Sequence, residues 1–210
     1  MRTAYHQALD NARLDVVRLG ALTLDAARSS THALERRDGG LAARVIAGDD
    51  EIDDTRRRVE GACIELIWKQ QPVAGELRAI AGMLQIVTDL ERVGDYAVDI
   101  SKNAIKLIDV PVRPASVEVG QIAAAAQSML ADAMRAYREG DAELADTVIE
   151  RDDEVDHLYR TGIEALQTEM QADPSVVPAG TLLLFVLASI ERIGDHAQNI
   201  AWKTKDSLGD

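Results

Sequence analysis

The chain has 210 residues with 23 basic and 36 acidic side chains, a net charge of −13. That charge excludes a strong binder of polyphosphate backbones, which needs a basic footprint, and favours cations or basic partner surfaces. Apolar residues make up 47% and aromatics only 3%, with Phe185 the sole phenylalanine, a balance suited to Leu/Ile/Val/Ala packing between helices.

In chain order, breakers cut the sequence into segments of roughly 25–35 residues, long enough for rods of about 40–50 Å. Gly39-Gly40 and Gln71-Pro72 fall in the first half, and Pro111 to Pro114 separates the halves. Gly140-Asp141 and Asp173-Pro174 with Pro178 divide the second half. The Asp173-Pro174 pair reads as an N-cap acid followed by proline in the first turn. Cys63, the single cysteine, forms no intrachain disulfide and reads as inert core among Val59, Ile64 and Leu66. The N-terminus lacks the apolar run of a signal peptide. The most apolar stretch, Leu182 to Ala188, spans seven residues where a membrane crossing takes roughly 20, so it reads as a buried helix segment. Leu182 through Leu187 is apolar all round a helix, which points to burial against the other half or in a homodimer.

Comparing the sequence with itself reveals a duplication. Glu91-Arg92-Val93-Gly94-Asp95-Tyr96-Ala97-Val98-Asp99-Ile100 recurs 100 residues later as Glu191-Arg192-Ile193-Gly194-Asp195-His196-Ala197-Gln198-Asn199-Ile200, identical at six of ten positions. Val45 to Asp53 recurs 103 residues later as Val148 to Asp156. The last segment of each copy carries a helical seam. Met83, Ile86, Leu90, Val93, Ala97, Ile100, Ala104 and Leu107 follow a 3,4 spacing that Leu183, Val186, Ile190, Ile193, Ala197 and Ile200 repeat. The predicted fold is all-α: two tandem three-helix bundles related by a pseudo-twofold, residues 1–110 and 115–210, with six long helices. Gly94 and Gly194 lie inside helices, where glycine costs about 1 kcal/mol, which points to close helix approach.

Glu91, Asp95 and Asp99 stand at i, i+4 and i+8, on one helical face directed away from the seam; Glu191, Asp195 and Asn199 repeat the arrangement. Asp49 with Asp53 and Asp152 with Asp156 are further i, i+4 pairs on the preceding segment. Stacked carboxylates repel by a few tenths of a kcal/mol per pair, and hard cations held through oxygen would relieve the repulsion. The plain alternative is a solvated acidic face neutralised by Arg92 and Arg192. Extra charge at Asp99 makes the first cluster the expected better binder, relative to the one containing Asn199.

The two Glu-Arg-(Val/Ile)-Gly-Asp blocks, with Gln71-Pro72-Val73-Ala74-Gly75-Glu76-Leu77-Arg78 and the acidic runs at Asp49 and Asp152, resemble the signature of the PhoU family over essentially the whole chain. Ser189 stands where family members commonly have Asn, and Asn199 replaces the aspartate seen at Asp99. The resemblance implies two three-helix bundles and a (D/E)xxxD motif able to hold metal clusters on the surface. That motif maps onto Asp49/Asp53, Glu91/Asp95, Asp152/Asp156 and Glu191/Asp195, with Fe expected ahead of Mn, Mg, Ca or Zn. It further implies a cytoplasmic, non-enzymatic regulator that damps phosphate-starvation signalling and phosphate uptake. The partners it implies are the phosphate ABC transporter and a membrane sensor histidine kinase, met without membrane insertion. A metal-free helical adaptor shares fold and partners. A ferritin-type di-metal enzyme would need a Glu-x-x-His on each of two helices, and only Glu154-x-x-His157 is present. His6, His32, His157 and His196 are expected at the surface.

Overall fold

The computed structural model describes residues 2–70, 72–111, 114 and 117–208. Among the described residues the fold has seven α-helices and no strand: α1 (Arg2–Arg36), α2 (Gly39–Gln70), α3 (Ala74–Ile108), α4 (Val119–Glu139), α5 (Ala142–Glu150), α6 (Asp152–Ala172) and α7 (Val177–Leu208). The first three pack together as one bundle; α4, α7 and the α5–α6 pair form the second. The expected six-helix plan holds, with the second copy's middle helix interrupted and carried as α5 and α6. The break falls at Arg151, which stands where the first copy has Gly48. Arg151 takes φ −77° and ψ −9°, and its Nη1 donates to Asp132 on α4 at 2.8 Å. Restarting there places Asp152, Asp153 and Glu154 in the first turn of α6, where the helix dipole favours negative charge.

The other boundaries follow the sequence signals with one shift. Gly140, at φ 66°, caps α4 in the left-handed region, and the Asp141 carboxylate accepts from the Leu144 N–H at 2.9 Å to start α5. Asp173 accepts from the Ser175 N–H at 2.9 Å, ahead of a 3-10 turn, Pro174–Val176, that leads into α7. Gly39-Gly40 is not the break itself. Arg37 takes the left-handed conformation (φ 54°) and Asp38 caps α2 by accepting from Leu41 N–H at 2.8 Å. Gly39 lies close to the end of α3, where an added Cβ would stand 2.9 Å from Ile108 Cδ1, the movable tip of that side chain. At the next break, Glu76 reaches back to accept from Val73 N–H at 3.1 Å; Gln71 lies outside the described residues. So do Val112, Arg113, Ala115 and Ser116 of the proline-bounded connection.

Every residue of both predicted seams is buried, from Met83 to Leu107 on α3 and from Leu183 to Ile200 on α7. The two seam helices also pack on each other, and together with the α1–α4 contact this joins the bundles. In the all-round apolar stretch of α7, Leu183, Val186 and Leu187 are buried, Leu182 and Leu184 half-buried, and Phe185 stays 60% exposed. The apolar character of this region runs beyond seven residues. Within Pro174–Leu208 an 18-residue window reaches a mean hydropathy of 1.8, apolar and long enough to cross a membrane by composition alone, and half of it is buried inside the fold. Packing against α3, α4, α5 and α6 accounts for that burial.

Candidate metal centre

Helix spacing is what brings the acidic pairs together. At Gly94 an added Cβ would lie 3.1 Å from Ile52 Cδ1, and at Gly194 3.2 Å from Val155 Cγ1. Ile52 and Val155 are the buried residues that the Asp pairs of α2 and α6 flank. The signature glycines thus let α3 settle onto α2, and α7 onto α6, at the level of the carboxylates. This is the close approach inferred from sequence.

In the second copy the approach gathers a cluster. Asp152, Asp156 and Asp195 each place a carboxylate oxygen within 4.8 Å of the others, the one such group of three among the described residues. Two oxygens bound to one hard cation at about 2.0–2.6 Å each stand at most about 4–5 Å apart. Separations within that bound are compatible with a shared hard cation such as Ca²⁺, Mg²⁺, Mn²⁺ or Fe. An all-oxygen donor set favours these ions over tightly held zinc. Burial, then the charges of Asp195, Asp156 and Asp153, push Asp152 up to about 6. Burial likewise raises Glu191 and Asp195, against which Arg192 acts. Glu191 borders the cluster as a half-buried residue, and Asn199 is exposed on the same helix.

In the first copy Asp49, Asp53, Glu91 and Asp95 face one another across the α2–α3 groove without forming such a trio. Burial and then Asp95 raise Asp49, and burial and then Asp95 raise Glu91. Asp99 is exposed and turns to Lys102, 3.8 Å away. Arg92 bridges to Asp95 at 3.1 Å and Arg192 to Asp195 at 3.6 Å, the structural role weighed for them from sequence.

One polar contact was not foreseen. His196 is only 18% exposed, and its Nδ1 hydrogen-bonds Asp89 Oδ1 at 2.8 Å between α7 and α3. The surface expectation is corrected for this histidine. The duplication held the signal: the counterparts of Asp89 and His196 are Ser189 and Tyr96, so the repeats diverge at both ends of one contact. Glu154 and His157 are both exposed, away from any bundle core. Cys63 is fully buried and its thiol is pushed up to about 11, chiefly by burial, which leaves it unreactive.

The fold and the site define a class: duplicated three-helix bundles that display acidic (D/E)xxxD pairs from adjacent helices of each copy. The chain belongs to the PhoU family, whose PhoU domain matches it twice, at residues 16–104 and 119–204. It is 35% identical over 198 residues to the phosphate-specific transport system accessory protein PhoU homolog of Pseudomonas aeruginosa, covering 94% of this chain and 82% of that one. Identity to the homolog of Clostridium acetobutylicum is 36% over 204 residues, with 97% and 93% covered. The crystal structure of PhoU from Pseudomonas aeruginosa matches with a TM-score of 0.93 at 34% identity, over 95% of this chain and 96% of that. The phosphate transport system regulatory protein PhoU from Streptococcus pneumoniae matches at 0.87 and 25% identity, over 95% and 94%.

Proposed function

We propose that this protein is a non-catalytic, phosphate-responsive regulator that restrains phosphate-starvation signalling and phosphate uptake. The reading is carried by near-full-length similarity to proteins named as accessories of the phosphate-specific transport system. It acts by protein contact with the phosphate ABC transporter and a sensor histidine kinase at the cytoplasmic face of the membrane. An acidic surface suits recruitment by protein, because anionic lipid attracts Lys and Arg instead. Metal is held on the surface carboxylates, with Asp152, Asp156 and Asp195 the best-gathered donors. The ion supplies local neutralisation that lets the acidic faces of α6 and α7 stay close.

Cells lacking the chain are expected to express phosphate-starvation genes and import phosphate in phosphate-rich medium. The purified protein should co-elute with the detergent-solubilised transporter or kinase. Normal repression in the deletion strain, together with failure to co-elute with either, would overturn the reading. The same reading includes a homodimer, for which exposed Phe185 and Trp202 on α7 offer apolar contact. Sedimentation at micromolar concentration is expected to give twice 22.8 kDa, and a clean monomer sinks that element.

A further inference from the structure

The groove between α1 and α2 in the first copy has its counterpart in the second between α4 and the α5–α6 pair. An offset of 103 relates the two: buried Leu19, Ala27 and Ala33 fall on buried Ile122, Leu130 and Ala136, and left-handed Arg37 falls on left-handed Gly140. Each groove carries one carboxylate and one serine a turn apart, in opposite order. These are Asp25 and Ser29 on α1, and Ser128 and Asp132 on α4. Only the second copy supplies its own cation. There Arg151 spans the groove to Asp132 at 2.8 Å, with the two side chains 29% and 22% exposed. At the place of Arg151 the first copy has Gly48, where an added Cβ would meet nothing within 4 Å. What remains is a cavity of about 290 Å³, bordered by Asp25, Ser29 and Gly48 and walled by Leu22, Leu41 and Ile52. Asp25 makes no ion pair among the described residues, whereas Glu51 at the same cavity is taken up by Arg18 at 3.2 Å.

We propose that the first copy's groove receives an arginine side chain from a basic segment of a partner protein, its guanidinium seated at Asp25 and Ser29 as Arg151 is seated in the second copy. The inference rests on the protein contacts of the proposed function and adds where a partner docks and what chemistry it presents. Size favours a side chain, because the cavity falls just below the roughly 300–1,000 Å³ of small-molecule sites. Its leucine walls suit a methylene stem, and a carboxylate beside a hydroxyl suits the planar, fork-shaped head better than a compact ammonium. A net charge of −13 draws basic partners to the molecule as a whole. Arg44 also borders the cavity, but its head turns to the start of α2, where Nη1 stands 3.7 Å from the Cβ position of Gly40.

Ethylguanidinium is the probe, added at millimolar concentration to isotope-labelled protein and followed by amide chemical shifts. Shifts are expected around Ser29 and Gly48 and not around Asp132 and Arg151, whose groove is filled; ethylurea, the uncharged analogue, should give none. Asp25→Asn should weaken the response about tenfold. Ser29→Asp with Gly48→Arg rebuilds the second copy's ion pair inside the first. That variant should abolish the response, melt no lower than wild type, and lose co-elution with the detergent-solubilised transporter or kinase that wild type binds. Should it fail to fold, Asp25→Asn decides alone. Absent shifts in wild type, unchanged shifts in folded Asp25→Asn, or wild-type co-elution of the filled variant overturns the inference and leaves the protein-contact reading standing. Failure of wild type to co-elute with either partner overturns that reading, and the inference falls with it.

Discussion

Metal-free protein carrying Asp152→Asn is expected to melt at a higher temperature than wild type at pH 7, and to lose that advantage once a divalent cation is added. Burial and three neighbouring acids raise the Asp152 carboxyl to about 6 in the folded chain. A carboxyl raised in this way holds its proton more tightly folded than unfolded. Its contribution is fully present below about pH 4 and is lost as pH rises through about 6, so ionised Asp152 opposes folding at pH 7. Raising a carboxyl from about 4 to about 6 is worth about 3 kcal/mol at most. Partial exposure to solvent and the positive end of α6 reduce this to about 1 kcal/mol, a gain of about 2–4 °C for a chain of this size. Metal reverses the order, since a ligand at 100 times its Kd stabilises wild type by about 2.7 kcal/mol. Thermal melts at pH 4.5 and 7, with chelator and with Mn²⁺, read all four cases. A variant that melts below wild type in chelator at pH 7 would show that Asp152 is a structural acceptor and sink the repulsion argument.

The fold was legible in the sequence because its two strongest signals are local. A 3,4 seam on α3 and α7 states which face is buried, and every residue of both seams is buried. Duplication then supplied the second bundle. The break at Arg151 was not legible. Within the chain segment nothing distinguishes Glu150-Arg151-Asp152 as a stop, and the interruption coincides with a bond from Arg151 to Asp132 of another helix. Likewise Gly39-Gly40 marked a turn correctly, yet the strained position is Arg37, whose left-handed backbone no composition rule assigns.

For the candidate site, spacing identified the carboxylates that share a groove, because i, i+4 geometry is fixed by the helix. Which of them converge depends on side chains from other turns and other helices. Asp99 illustrates the limit: it shares the face of Asp95 but turns to Lys102, a residue that no motif singles out. Asp89 and His196 illustrate it again, since their contact crosses between bundles and has no periodicity within either helix. In both cases comparing the repeats position by position, instead of seeking their identities, exposes the residues that matter.

The second large effect concerns a residue that touches no ion. Gly194→Leu is expected to destabilise the fold and to abolish ion binding at the second copy with every carboxylate still present. An added Cβ at Gly194 stands 3.2 Å from Val155 Cγ1 and 3.6 Å from its Cβ, before the rest of a leucine is counted. Val155 is buried and has no open side to retreat to, so the added atoms must lever α6 away from α7. Overpacking of this kind costs about 1–3 kcal/mol, offset in part by the roughly 1 kcal/mol that leucine gains over glycine in a helix. Moving α6 carries Asp152 and Asp156 away from Asp195, with whose carboxylate they are gathered within 4.8 Å. Gly194→Ala serves as the control, because a single methyl overlaps by a few tenths of an ångström and the helix gain offsets it. That variant should melt within about 2 °C of wild type and keep its ion. Thermal melts and Mn²⁺ titration of the two variants measure both effects. Wild-type Mn²⁺ affinity in Gly194→Leu would mean that the spacing of α6 and α7 does not set the site, and the glycine would then need another explanation.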